Sequence, residues 1–310
     1  MLKILHLDEN HELLKNELSN LGFENCFDFD SSKKEIENKL EKYHAVIIRS
    51  RIKIDRVFLD KGINLKFIAR IGSGTENIDV VYANKKQIKI ISAGEANANA
   101  VGEHALGMIL SLKNRILKSN NEIKEGLWLR EKNRGIEIKG KTVGIIGYGK
   151  TGKSFAEKLN ALGANVLCND IVPNKGDNYA MQVSINEIKE KSNIISLHTN
   201  LNETSLFLIN NYFIDECKNP FYIINTSRGE CLKTSDLVEG LKSGKILGAC
   251  LDVIENESTS FEEIDSNNDL DYLKNSKNVI ITPHIAGWTY ESKVNLSKVI
   301  LEKIKHMFDL

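Results

Sequence analysis

One stretch limits what this chain can become: VGIIGYGKTGKS, residues 143–154, where three glycines fall in the order G-x-G-x-x-G. An apolar run precedes them and an amphipathic run follows, so the spacing predicts a strand, a tight turn and a helix. Gly147 permits the turn, Gly149 lets the backbone approach a pyrophosphate, and Gly152 lets the helix pack on the strand. The first N–H groups of such a helix and its dipole favour phosphate. Eighteen residues beyond Gly152 (170 − 152) the next strand pattern ends in Asp170. A carboxylate there accepts from ribose hydroxyls and repels an added 2′-phosphate, so the unit predicts NAD.

The flanking sequence supports that frame. Before the glycine loop, LKILHL, HAVIIRS, LKFIARIG and IKIISA read as strands, and HELLKNELSNL and DRVFLDKG read as helices. Strand and helix in alternation predict parallel β-α units. Residues 98–119 carry a helical pattern through Val101, Ala105, Met108, Ile109 and Leu112, with Asn97 or Asn99 as the cap. After the loop, ANVLCND, NIISLHT, PFYIINTS, ILGACLDV and NVIITPH read as strands of one doubly wound sheet. Residues 255–275 read as a surface excursion, and ESKVNLSKVILEKIKHMF reads as a closing helix.

Three strand ends carry chemistry: INTSRGE, CLDVIENE and ITPHIAGWT. Ligands of open α/β sheets sit at strand C-termini. These segments bring an arginine, acids and a histidine to the edge that holds the glycine loop. An arginine fork binds a carboxylate by two parallel hydrogen bonds, and a histidine exchanges a proton near neutral pH. Arg228 with His284 therefore suits a 2-hydroxy or 2-oxo acid beside a nicotinamide. Lys+Arg and Asp+Glu both number 42, which argues against a nucleic-acid or anionic-membrane binder. No apolar run reaches the ~18–20 residues that span a bilayer. The five cysteines form no C-x-x-C, no cluster has metal spacing, and a reduced, cytoplasmic setting is expected.

The order GIIGYGKTG, NTSRGE, LDVIENE, TPHIAGWT resembles the D-isomer-specific 2-hydroxyacid dehydrogenases along essentially the whole chain. The resemblance implies an α/β protein of two Rossmann-like, doubly wound domains with parallel sheets. The cofactor domain, 98–287, is inserted into a substrate domain, 1–97 with 288–310, and the active site lies between them. It implies Arg228, Glu257 and His284 as the catalytic set, with Glu255 as a rival to Glu257. Ser258 stands where the family often has proline. The implied cofactor contacts are Gly147, Gly149, Lys150, Thr151, Gly152, Asp170, His198, Thr199, Thr226, Asp252 and Gly287. The loop RIGSGTENIDV is similar to the family's carboxylate-binding loop, with Ser73 and Gly74 as contacts, and its Gly/Ser content suits a backbone anion nest. A homodimer built on the cofactor domain is also implied.

IIRSRIKID resembles the segment by which 3-phosphoglycerate dehydrogenases meet the substrate phosphate. Strand residues two apart share a face, so Arg49 and Arg51 are expected to act together on a phosphate. Arg130, in GLWLREKNRG, matches a further basic position, possible across a subunit boundary. The chain stops at Leu310, so a short form without serine feedback is expected. The expected reaction passes hydride between NAD and 3-phosphoglycerate. A reductase of glyoxylate or hydroxypyruvate is the rival enzyme, and an NAD-responsive corepressor is the rival of another class.

Overall fold

The computed structural model describes residues 1–255, 257 and 267–309. The chain forms two compact units, Met1–Asn97 with Trp288–Leu310, and Ala98–Gly287.

The first unit is built on β1 (Lys3–His6), β2 (Glu24–Phe27), β3 (Ala45–Ile48), β4 (Phe67–Arg70) and β5 (Lys89–Ser92). They pair in the order β2-β1-β3-β4-β5, parallel throughout. All four residues of β3 are buried, as expected when helices cover both faces of a parallel sheet. One face holds Leu14 and Leu18 of the helix Glu12–Asn20 with Ile300 and Ile304 of the helix Tyr290–Phe308. The other holds Ile36, Phe58, Leu59 and Ala83 from the short helices Lys33–Glu37, Arg56–Lys61 and Val80–Lys85. Each of these short helices starts at a Ser or Asp whose side chain accepts from its first turn, the capping that offsets orphan N–H groups.

The second unit holds β6 (Thr142–Ile146), β7 (Asn165–Asn169), β8 (Met181–Gln182), β9 (Ile194–Leu197), β10 (Phe221–Asn225), β11 (Ile246–Leu251) and β12 (Val279–Ile281). Their order is β12-β11-β10-β9-β6-β7-β8, again parallel. Winding reverses between β6 and β9 here, and between β1 and β3 in the smaller sheet. Such switch points open a crevice beyond the strand C-termini. The helix Lys150–Ala161 buries Gly152, Phe155, Ala156 and Leu159, a single stripe at helical spacing.

Three segments show where the structure departs from the sequence reading. The helix expected over 98–119 ends at Lys113, and a second helix runs Ile116–Lys124. Arg115 between them has φ 54°, a left-handed turn that apolar periodicity does not register because the pattern continues past it. The tract 255–275 is not all surface: helix Asn268–Asn275 buries Leu270 and Leu273. Asn256 and residues 258–266, including the Ser258 position, lie outside the described residues. The strand Glu24–Phe27 escaped the sequence reading because ENCF has no apolar alternation and is nowhere fully buried.

Candidate active site

Because the larger sheet is parallel, all its strand C-termini lie along one edge. The glycine loop follows β6 there, Asp170 follows β7, and His198 and Thr199 follow β9. Thr226 and Arg228 follow β10, Asp252 and Glu257 follow β11, and His284 and Gly287 follow β12.

The glycine loop is shaped by close approach. Gly147 has φ 89°, and a Cβ there would stand 2.6 Å from the His198 carbonyl oxygen. A Cβ on Gly152 would meet the Gly147 carbonyl oxygen at 2.3 Å. Gly149 is different: nothing of the protein lies within 4 Å of its would-be Cβ, and Gly149 and Lys150 are exposed at the helix start while Thr151 is half-buried. That open space over a helix N-terminus is what a pyrophosphate needs. The Asp170 carboxylate accepts from Tyr148 N at 2.7 Å and Val172 N at 2.9 Å. It therefore fixes the loop while remaining half-exposed, with lone pairs left for ribose hydroxyls.

Sequence reasoning missed a support beneath this loop. Tyr148 donates its hydroxyl to Asp177 at 2.7 Å, and Lys153 pairs with the same carboxylate at 2.8 Å. Burial alone would raise the Asp177 pKa, but hydrogen bonds from Lys153, the Tyr179 N–H and Tyr148 overcome it and hold the group at about 2.

Two buried polar atoms on this edge have no hydrogen-bond partner among the described residues: His198 Nδ1 and Thr226 Oγ1. Burial pushes the His198 pKa down to about 3, so its ring is neutral, with Nε2 2.9 Å from Ser196 Oγ. Buried polar atoms are normally satisfied. Orphans beside an open glycine loop fit a dinucleotide lying along this edge.

The acid–base end is tightly wired. His284 Nδ1 lies 2.7 Å from Glu257 Oε2, and Ile254 N donates to Glu257 Oε1 at 2.5 Å. The rival Glu255 is engaged elsewhere: it accepts from Thr234 N at 2.9 Å. It caps the helix Thr234–Ser243, whose own N-cap, Lys233, supplies no side-chain bond. His284 has φ 54°, a left-handed conformation that costs a non-glycine residue ~1–2 kcal/mol. Asp252 holds it there. Its backbone oxygen accepts from His284 N at 2.8 Å, and its carboxylate accepts from Ile285 N, Ala286 N and Thr282 Oγ1 at 2.8, 2.7 and 2.5 Å. Asp252 is 1% exposed, so its carboxylate faces its own loop. His104, which the sequence reading passed over, extends the network, with Nε2 3.0 Å from Thr282 Oγ1.

Arg228 is set by Asn225, whose Nδ2 donates to the Arg228 carbonyl at 2.8 Å while its Oδ1 accepts from Ser227 N and Oγ. The next residue must be small: a Cβ on Gly229 would lie 2.0 Å from the Ile254 carbonyl oxygen. The arginine loop and the glutamate loop thus pack directly together. Among the described residues, no group of three or more His, Cys, Asp or Glu could hold a metal, and no helix is long and apolar enough to cross a membrane.

In the first unit, β4 ends at Arg70 and leads into the loop with Ser73 exposed and Gly74 buried. Ser73 Oγ donates to Asn97 at 2.9 Å, so Asn97 serves this loop. Among the described residues no group of the protein accepts from Ser73 N or Gly74 N, which leaves two donors for an anion. The expected pairing of Arg49 with Arg51 is corrected. Arg51 donates Nε to Leu7 O at 2.7 Å, Nη1 to Ser31 O at 2.7 Å and Nη2 to Asp28 O at 3.0 Å. Its guanidinium stitches backbone together. The strand ends at Ile48, so the two-residue alternation that put both arginines on one face does not extend to them. Arg49 lies instead over the Trp288 ring, 3.9 Å from its centre. Arg130 stands exposed before the short turn Glu131–Asn133 and shares no hydrogen bond with the strand-end groups among the described residues.

Comparison with known proteins adds a family to this geometry. Residues 106–286 match the family model described as D-isomer specific 2-hydroxyacid dehydrogenase, NAD binding domain. The chain is 33% identical over 279 residues to a D-3-phosphoglycerate dehydrogenase of Archaeoglobus fulgidus, covering 89% of this chain but 51% of that one. It thus spans about half the length of that relative. It is 34% identical over 272 residues to a hydroxypyruvate reductase of Thermotoga maritima, covering 88% and 87%. The fold superposes on a D-lactate dehydrogenase of Aquifex aeolicus, solved with NAD and lactic acid, with a TM-score of 0.83 at 28% identity, covering 99% and 95%. The chain belongs to the D-isomer-specific 2-hydroxyacid dehydrogenases, and its second unit carries that family's NAD-binding domain.

Proposed function

We propose that this protein oxidises 3-phosphoglycerate to 3-phosphohydroxypyruvate with NAD, a step of serine biosynthesis. The observation that carries the chemistry is the His284–Glu257 pair at 2.7 Å, on the same sheet edge as Arg228 and the open glycine loop. The observation that favours a phosphorylated acid is Arg49, half-buried, with no side-chain hydrogen bond or ion pair among the described residues.

Bound NAD would accept hydride from C2 of the acid. Gly147, Gly149, Lys150, Thr151 and Gly152 would receive its pyrophosphate, and Asp170 its adenine-side ribose. His198, Thr199, Thr226 and Gly287 would line the remainder, with Asp252 holding the His284 loop behind them rather than meeting the cofactor itself. His284 takes the hydroxyl proton at Nε2, because Nδ1 is turned to Glu257. Glu257 stabilises the imidazolium that forms. In the second unit Arg228 would grip the carboxylate; in the first, the N–H groups of Ser73 and Gly74 would receive an anion and Arg49 a phosphate. We assign residues 1–97 and 288–310 to substrate binding and 98–287 to the cofactor.

A homodimer fits the second unit. Helix Ile116–Lys124 buries none of its residues, and Ile116, Leu117, Ile123, Leu127, Trp128 and Ile136 are all exposed. Exposed apolar surface rimmed by charge marks an interface. Arg130 lies next to that face in sequence and would act across it. The free cysteines support a reducing, cytoplasmic setting.

A second reading, reduction of an unphosphorylated 2-oxo acid such as hydroxypyruvate or glyoxylate, is favoured by Arg51's structural role, which leaves Arg49 alone. NADH formation from 3-phosphoglycerate, set beside D-glycerate, glycolate and D-lactate, separates the two. A kcat/KM at least tenfold higher for the phosphorylated acid supports the first. A preference for an unphosphorylated acid overturns it.

A further inference from the structure

Trp288 ends the segment TPHIAGW and is 59% exposed, a large ring in a place where burial gives no reason for it. Its neighbour explains it. Arg49 leaves β3 at the winding reversal of the smaller sheet, its backbone N–H held by Asp8 Oδ2 at 2.6 Å. Its guanidinium carbon sits 3.9 Å from the Trp288 ring centre. Stacking occupies the flat face of a guanidinium and leaves its N–H donors free in the plane. Arg49 and Trp288 form part of the wall of a cavity of about 350 Å³, with His11, Thr289 and Lys293 also on it. Two cations, Arg49 and Lys293, outweigh the single carboxylate on that wall, Glu9. Ile71, just after β4, completes one side, so the cavity adjoins the loop that bears Ser73 and Gly74.

We propose that Trp288 is a positioning residue that sets substrate selectivity. Its ring holds the Arg49 guanidinium edge-on to this cavity, so that the in-plane donors receive a phosphoryl group at the far end of a short 2-hydroxy acid. The selectivity for turnover rests on the dehydrogenase reading above; the anion pocket does not.

Trp288→Ala and Trp288→Phe test this against 3-phosphoglycerate and D-glycerate. The ring's hold on a cation is worth a change of about two- to thirtyfold. Trp288→Ala should raise KM for 3-phosphoglycerate by that factor, with kcat and the KM for D-glycerate within about twofold of wild type. Trp288→Phe, which keeps a π face, should restore most of the loss. An unchanged KM for 3-phosphoglycerate, or an equal rise for both acids, overturns the proposal. A second measurement needs no turnover: inorganic phosphate titrated against indole emission. A saturable change that Trp288→Phe abolishes and Arg49→Ala weakens supports the pocket even if no acid is oxidised, an outcome that would sink only the dehydrogenase reading. A titration without saturable change, or one that survives Trp288→Phe, overturns it.

Discussion

The C-terminal edges of the two sheets are built in opposite ways. On the larger sheet the acid–base groups are already bonded to one another, His284 to Glu257 and Asp252 to three donors, and only its cofactor side keeps open atoms, His198 Nδ1 and Thr226 Oγ1 among the described residues. On the smaller sheet Arg49 is held by a ring, and the N–H groups of Ser73 and Gly74 meet no acceptor among the described residues. A prebonded edge does chemistry without rearranging, because its dipoles are oriented before substrate arrives. An edge with unused donors takes its partners from the ligand, so it is where substrates are told apart. On this account the larger sheet sets rate and the smaller sets choice.

The largest expected effect lies on the prebonded edge. His284→Ala should lower kcat by roughly 10²–10⁴ while NADH affinity, read by fluorescence titration, stays within about twofold. Glu257→Gln against Glu255→Gln sharpens the same edge. The first removes a charge-assisted bond to the imidazole and should cost about 10- to 100-fold in kcat. The second should leave kcat alone and lower the melting temperature by about 2–4 °C, the loss of one helix cap. Equal kinetic losses would show that the two glutamates share the role.

The glycines offer a smaller contrast. Gly152→Ala puts a methyl against a backbone oxygen and should destabilise by ~1–3 kcal/mol. Gly149→Ala meets no protein atom within 4 Å, so its melting temperature should hold while NADH affinity falls about tenfold. An unaltered affinity would mean that the pyrophosphate lies elsewhere. The least kinetic effect belongs to Arg51. Arg51→Lys breaks its fork of bonds to Leu7, Ser31 and Asp28 and should cost ~2 kcal/mol of stability, with the KM for 3-phosphoglycerate unchanged. A raised KM would return Arg51 to the phosphate.

These contrasts mark how far the sequence could be read. The strand, glycine loop and helix at 143–154 were legible because each step obeys a local rule: apolar run, turn residue, amphipathic stripe. The motifs at Arg228, Asp252 and His284 were legible as strand ends. What escaped depends on packing. Arg49 and Arg51 look alike in a row of letters, and only the carbonyls brought round by Leu7, Asp28 and Ser31 distinguish them. Glu255 and Glu257 are told apart by a helix start that lies 21 residues away at Thr234. Trp288 has no partner in sequence, because Arg49 reaches it from the other end of the chain.

The division of labour is most directly tested by one ratio, kcat/KM for 3-phosphoglycerate over kcat/KM for D-glycerate, measured in wild type, His284→Ala and Arg49→Ala. His284→Ala should depress both values alike and leave the ratio within about twofold, while Arg49→Ala should collapse the ratio by tenfold or more with D-glycerate barely affected. A ratio that Arg49→Ala leaves intact, or that His284→Ala moves as far, would contradict that division.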